Sequence, residues 1–93
     1  MANNLFITYD LNKVGKNYSG VIDAIKNLGE WAKYQKSAWY VSTTYTAEQA
    51  GKIVWANMDA DDSLMVIDCL HNDAYWFGLT EEVSKFIQKN WNR

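Results

Sequence analysis

The sequence predicts an α+β fold, and three observations support this prediction. The chain has 93 residues, which is the size of one domain, so we expect residues 1–93 to fold as a unit. Short segments with the alternating apolar pattern of β-strands are interspersed with segments whose apolar residues repeat at the spacing of an α-helix. The chain contains no Pro and no low-complexity tract, which favours short connections without a linker.

The first strand is predicted at residues 4–10, where successive side chains point to opposite faces of a sheet. One face carries Leu5, Ile7 and Tyr9, which we expect to pack under helices. The opposite face carries Phe6, Thr8 and Asp10. The Asp10 carboxylate at the end of this strand is therefore expected to point away from the helices, on the same face as Phe6 and Thr8.

A helix is predicted from about residue 18 or 19 to residue 28, after a polar loop at residues 12–17. Gly29 stands where a C-terminal stop is expected. Residues 30–36 and 38–43 then predict two strands, because the first alternates and the second is rich in aromatic and β-branched types. The turn between these strands is tight.

Thr46 is predicted to open a second helix, with Gln49 completing a capping box. Residues 63–69 predict a fourth strand, and residues 71–79 predict a loop. Thr80 is expected to cap a last helix. The apolar residues that we expect on the inner side of this helix are Val83, Phe86, Ile87 and Trp91.

The resulting element order is βαββαβ with an extra C-terminal helix. With right-handed crossovers, this element order predicts a ferredoxin-like antiparallel sheet, in which the strands are ordered 4-1-3-2 and two helices cover one face. The other face has no obvious cover unless the C-terminal segment or a second subunit supplies it. The first strand would then end beside the starts of the third and fourth strands.

This topology places Asp10 at one sheet edge with Ser37, Asp61 and Asp62. Several carboxylates at one edge are suited to a hard divalent cation such as Mg²⁺. Two copies stacked through the open face would bring two Asp10 carboxylates together, and a shared Mg²⁺ could activate a water there. The alternatives are that Asp10 caps its own turn up to Lys13, and that Asp61 and Asp62 lie in a solvated turn.

Composition limits the classes of function. The net charge of −2 is unlike that of a duplex DNA-binding protein, which needs a basic surface. The single Cys69 excludes an internal disulfide and fits a reducing compartment. The first ten residues do not resemble a signal peptide, and no apolar run reaches the length of a membrane span. We therefore expect a cytoplasmic protein that does not contact a membrane.

Lysines and aromatic residues supply the candidate binding groups. Lys13, Lys16, Lys33 and Lys36 could contact a phosphate from one end of the sheet, or they could be scattered solvated side chains. Trp39 and Tyr40 belong to a large set of aromatics, 15% of the sequence. Such rings stack on bases, form dimer seams or seat a terminal helix, and the missing basic groove favours the seam. His71 is expected to be a surface residue.

Three segments carry a family resemblance: Tyr-Asp-Leu at 9–11, the apolar spacing that ends at Leu28-Gly29, and residues 35–39. Together they resemble the small ferredoxin-like CRISPR-associated endonuclease family of the spacer-adaptation complex and the virulence-associated protein D toxins. The likeness is greater to bacterial and phage proteins labelled SinR within the same superfamily. This resemblance implies a homodimer whose sheets face each other. It also implies that Asp10 binds a metal, and that Ser37 is a polar residue of a hairpin near the metal site.

Two functions follow as hypotheses. The first is a homodimeric binding protein that holds a host protein, a nucleotide or a nucleic acid at the dimer seam, as a phage or defence protein would. The second is a Mg²⁺-dependent endoribonuclease in which Asp10 holds the metal with Ser37 nearby. The acidic balance places the binding hypothesis slightly ahead.

Overall fold

A computed structural model of the protein describes residues 2–13 and 17–91. The elements alternate much as the hydrophobic spacing predicts. In chain order they are β1 (Asn3–Asp10), α1 (Ser19–Lys26), β2 (Glu30–Gln35), β3 (Ala38–Thr43), α2 (Ala47–Trp55), β4 (Ser63–Asp68), β5 (Asp73–Phe77) and α3 (Glu81–Asn90). The α+β class is therefore confirmed.

The five strands form one sheet in the order β2-β3-β1-β4-β5, with each neighbouring pair antiparallel. This sheet differs from the predicted four-strand layout 4-1-3-2, because a fifth strand pairs with the outer side of β4. Residues 73–77 were expected to lie in a loop. Asn72 has a φ of 51°, a left-handed conformation that Asn tolerates, and so lets the chain reverse after β4. The aromatic residues 75–77 that follow have a high preference for β-strands, which favours the observed strand over the predicted loop.

The central strand β1 has the two faces that its alternation predicts. Leu5, Ile7 and Tyr9 are buried, whereas Thr8 and Asp10 are exposed and Phe6 is half-buried. α1 contributes Val21 and Ile25 to the core, and α2 contributes a second set. This helix face holds the hydrophobic core, while the opposite side of the sheet is the open face. We define the open face by the β1 residues Asn4, Phe6, Thr8 and Asp10 and their cross-strand neighbours.

Local capping signals explain where two helices begin. The Thr46 hydroxyl accepts a hydrogen bond of 3.1 Å from the Gln49 N–H, and the Gln49 side chain accepts one of 3.0 Å from the Thr46 N–H. This confirms the predicted capping box. Thr80 caps α3 by a single bond, in which its hydroxyl accepts from the Val83 N–H at 3.2 Å.

The C-terminal helix α3 differs from its prediction. The expected inner side included Val83 and Phe86, but these side chains are 46% and 68% exposed, and α3 contributes no buried residue among those described. The reason is its position. α3 runs beside the edge strand β5, held there by Trp76 and Trp91, and does not cover the middle of the sheet.

Candidate functional site on the open sheet face

Asp10 ends β1 on the open face, where its cross-strand neighbour is Ser63 of β4. Its carboxylate is exposed and makes no hydrogen bond or ion pair with the described residues. The alternative of a turn cap is not observed in residues 10–13, because the Lys13 N–H donates to the Tyr18 hydroxyl at 3.1 Å. A shallow groove of about 220 Å³ passes beside Asp10, between β1, β4 and Leu79. The carboxylate is therefore available to a ligand.

Asp62 is not a solvated turn residue, which was one of the two alternatives for it. It is buried, and its carboxylate accepts hydrogen bonds from the Asn12 N–H at 2.7 Å, the Tyr18 hydroxyl at 2.8 Å and the Asp59 N–H at 2.7 Å. Charged acceptors of this kind form strong bonds. Desolvation and the hydrogen bond to Asp62 raise the pKa of the Tyr18 hydroxyl above its usual value. Asp62 therefore fixes the loop after β1 to the turn before β4.

The donor set for a divalent cation is small. Within residues 2–13 and 17–91, no three His, Cys, Asp or Glu side chains are grouped to hold a metal ion. Asp61 is exposed in the neighbouring turn, and Asp62 is engaged with backbone and hydroxyl donors. One carboxylate is a weak Mg²⁺ site, because this ion takes six oxygen ligands, of which water supplies several. Asp10 fits such a site only with further oxygen atoms, such as those of a second copy.

Ser37 lies in the turn between β2 and β3, close to the end of β1. Its carbonyl oxygen accepts a hydrogen bond of 3.1 Å from the Tyr9 N–H, and its side chain is half-buried. Ser37 is thus brought beside the residue that precedes Asp10, as the topology predicts. Lys36, in the same turn, and Lys13 are both exposed. Lys16 lies outside the described residues.

The two aromatic candidates of β3 face opposite ways. Trp39 is buried in the core at 1% exposure, and its indole N–H donates to the Tyr9 hydroxyl at 2.9 Å. Trp39 is the cross-strand neighbour of Ile7 and lies on the helix face with it, so its ring is not presented on the open face. Tyr40 lies on the open face and donates to the Asn4 side-chain oxygen at 2.6 Å.

An aromatic cluster on the open face was not predicted from the sequence as a unit. The ring of Phe6 lies 5.9 Å from that of Tyr34 and 5.6 Å from that of Tyr40. These separations are typical of stabilising aromatic pairs. Tyr34 is 50% exposed, so the cluster faces solvent. The alternation of β1 indicates which way Phe6 points, but the pairing with Tyr34 depends on the irregular register of β2.

The ammonium groups of Lys26 and Lys33 lie over tryptophan rings. The Lys26 ammonium is 4.8 Å from the Trp31 ring centroid, and the Lys33 ammonium is 5.4 Å from that of Trp39. Both distances allow cation–π attraction. Trp31 and Trp39 also pack edge to face, 5.3 Å apart. This cationic surface belongs to the helix side of β2 and not to the open face.

Asp68 and His71 form a pair that the sequence interpretation missed. His71 is exposed as expected, yet its Nδ1 lies 2.8 Å from the Asp68 carboxylate, which also accepts from the Leu70 and His71 N–H groups. Burial acts to raise the pKa of Asp68, but these hydrogen bonds with His71 and Leu70 outweigh it and lower the pKa below its usual value. Asp68 thereby fixes the turn into β5. Cys69, which follows β4, is exposed.

Comparisons with known proteins found no match to this chain among family models, curated proteins or solved structures. Among the helices that the structure describes, none combines the length and apolarity needed to cross a bilayer. We therefore infer the function from the fold and from the positions of individual side chains.

Proposed function

We propose that the chain is a homodimeric binding protein whose two copies meet through the open face. In this proposal the superfamily is the ferredoxin-like CRISPR-associated endonuclease group that segments of the sequence resemble. The dimer seam holds a protein partner, and the protein works in the cytoplasm. The observation that carries the proposal is the aromatic cluster of Phe6, Tyr34 and Tyr40 on an uncovered sheet face.

The middle of the open face has a composition suited to burial. Beside the aromatic cluster lie Met65 and Ile67 of β4, both half-buried in the single chain. Sheets that keep one face in water usually carry polar side chains there. Large apolar patches on a protein surface mark interaction sites, and aromatic residues and Met are enriched in interfaces. A second copy in C2 symmetry would bury the same patch twice.

Charge supports a protein partner more than a nucleic acid. The aromatic cluster contains no lysine or arginine, and Lys26 and Lys33 pack on tryptophans at the opposite face. Base stacking on aromatic rings normally occurs together with a basic groove for the phosphates. The net charge of −2 supplies no such field. A nucleotide remains the alternative ligand, and would bind through the rings alone.

The dimer is tested by light scattering coupled to size-exclusion chromatography. Wild-type protein is expected at twice 10.7 kDa. Tyr34→Ser, on the open face, shifts the mass towards that of one chain. Trp31→Ser is the matched control, because Trp31 is also an exposed aromatic of β2 but packs on the helix side. A single-chain mass for the wild type, or equal dissociation in both variants, would contradict the seam.

A second candidate function, a Mg²⁺-dependent endoribonuclease, is favoured by the exposed Asp10 carboxylate on the same face. If two copies meet there, their Asp10 side chains supply two carboxylates for one cation, with Ser37 nearby. Mg²⁺ would stabilise the charge that develops on phosphate oxygens and lower the pKa of a water. The chain itself contributes the carboxylate oxygens that position the ion and the waters it retains.

Cleavage of labelled RNA with and without Mg²⁺ tests this candidate. Asp10→Ala is expected to abolish cleavage, whereas Asp61→Ala, which removes another exposed aspartate, retains it. Equal cleavage by wild type and Asp10→Ala would indicate a contaminating nuclease and exclude the enzyme. Circular dichroism of both variants verifies that each is folded.

A further inference from the structure

An open groove of about 520 Å³ lies between the edge strand β5 and helix α3. One wall consists of four consecutive strand residues, 73–76. The other consists of Ser84, Gln88 and Trp91, which share one side of α3 because they are four and three residues apart. Ala74 and Trp76 point to the same side of the sheet as their cross-strand neighbours Ile67 and Met65, and Asp73 and Tyr75 line the same groove beside them. The groove therefore follows β5 along its length.

β5 is the last strand on its side of the described sheet and pairs with β4 alone. An edge strand presents unpaired N–H and C=O groups to its outer side, and these groups readily pair with another extended chain. Four strand residues extend for about 13 Å, and the seven-residue step from Ser84 to Trp91 covers about 10 Å of helix. The two walls are thus of similar length, as a groove for one short strand requires.

The opposite edge of the sheet is protected in a way that β5 is not. All of β2 is exposed, but its pairing shifts between Lys33 and Gln35, and it carries a lysine. Bulges and lysines are common devices that prevent an edge from pairing. β5 pairs regularly over all five residues and has no lysine. The edge beside α3 is therefore the one that can accept a strand.

Two indole hydrogen bonds hold the groove open by attaching α3 to the strand region. The Trp76 N–H donates to the Ser84 hydroxyl at 2.9 Å, and the Trp91 N–H donates to the Asn72 carbonyl oxygen at 2.8 Å. Because α3 buries none of its described side chains, it does not fill the space between these attachments. The helix acts as a spaced second wall and does not cap the strand edge.

We propose that this groove binds an extended peptide segment of a partner protein, which adds to β5 as a sixth strand under α3. Strand addition beside a helix is a general mode of peptide recognition, in which backbone bonds give affinity and side-chain contacts give specificity. The charged residue lining the groove among the described residues is Asp73. The segment therefore carries a Lys or Arg that reaches Asp73, next to apolar residues against Trp76 and Trp91.

Selection from a displayed library of random eight-residue peptides tests the proposal, with the full chain as target. Enriched peptides are expected to contain Lys or Arg next to apolar residues. On adding a synthetic copy of the most enriched peptide, the β5 amides should show the largest ¹⁵N chemical-shift changes and slower hydrogen exchange. The same peptide with alternate backbone amides methylated should lose binding, because it cannot extend the sheet. No enrichment, or shifts centred on the open face, would overturn the proposal.

A variant pair tests the charge contact. Asp73→Asn should weaken the selected basic peptide about two- to fivefold, the range for an exposed ion pair. Asp61→Asn, the same change at an exposed aspartate outside the groove, should leave the affinity unchanged. Equal affinity of wild type and Asp73→Asn would contradict the assigned peptide chemistry. Tyr34→Ser separates this groove from the dimer: it should dissociate the dimer yet leave the affinity for the peptide unchanged, because Tyr34 lies on β2 and the groove lies on β5, at the opposite edge of the sheet.

Discussion

The carboxylate of Asp62 accepts a hydrogen bond of 2.8 Å from the hydroxyl of Tyr18, a residue 44 positions earlier in the chain. The same carboxylate accepts from the backbone N–H groups of Asn12 and Asp59. One buried side chain thus joins the loop after β1, the start of α1 and the turn before β4. The residue that was a candidate metal ligand is the attachment point of three segments.

Replacing Asp62 with Ala should lower the free energy of unfolding by about 2–4 kcal/mol, because several donors lose a buried charged acceptor. Asp61→Ala is the matched control and should change stability by less than about 0.5 kcal/mol, since Asp61 is exposed. Urea unfolding followed by tryptophan fluorescence measures both. Similar losses in the two variants would contradict the role of Asp62.

Tyr9→Phe should cost about 1–3 kcal/mol, because it leaves the buried indole N–H of Trp39 without its acceptor. Tyr34→Phe removes a hydroxyl from an exposed ring and should have an effect within about 0.5 kcal/mol. Thermal unfolding of the two variants at equal protein concentration makes the comparison. A neutral Tyr9→Phe would show that the hydroxyl is dispensable to the core.

Stability should depend on pH through Asp68. Its pKa in the folded state is lowered below the usual 3.8, so the unfolded chain binds a proton there more readily than the folded chain. The stabilisation is present above the unfolded-state pKa and is lost as the pH falls below it through the lowered folded-state pKa. Asp68→Asn should flatten this part of a pH series of urea unfolding curves. An unchanged slope in that variant would exclude Asp68 as the source.

Gly78→Ala should destabilise the protein by about 1–3 kcal/mol. Gly78 has a φ of 78°, and an added Cβ would meet the backbone carbonyl oxygen of Asp62. Gly51→Ala is the control, because Gly51 lies inside α2 and a Cβ there would make ordinary contacts of 3.6 Å with Tyr75 and Phe77 of β5. That variant should be neutral or stabilised by up to about 1 kcal/mol. Equal melting temperatures for the two variants would contradict the strain at Gly78.

The sequence by itself determined most of the elements and the two faces of β1. Side-chain alternation is a local property of a strand, so Leu5 could be assigned to the core and Asp10 to the open face before any pairing was known. The capping box at Thr46 and Gln49 is equally local, since both bonds form within one helical turn. Strand boundaries at β3 followed from β-branched and aromatic content.

Only the tertiary structure decided the fifth strand, the burial of Asp62 and the aromatic cluster of the open face. Each depends on contacts between segments far apart in the chain, such as Tyr18 with Asp62 or Phe6 with Tyr34. Periodicity gives the direction of a side chain but not which strand lies next to it, so the neighbours of Asp10 and the groove beside β5 could not be read from spacing alone. The physical reason is that burial and hydrogen-bond satisfaction are set by packing between elements, which the local pattern does not encode.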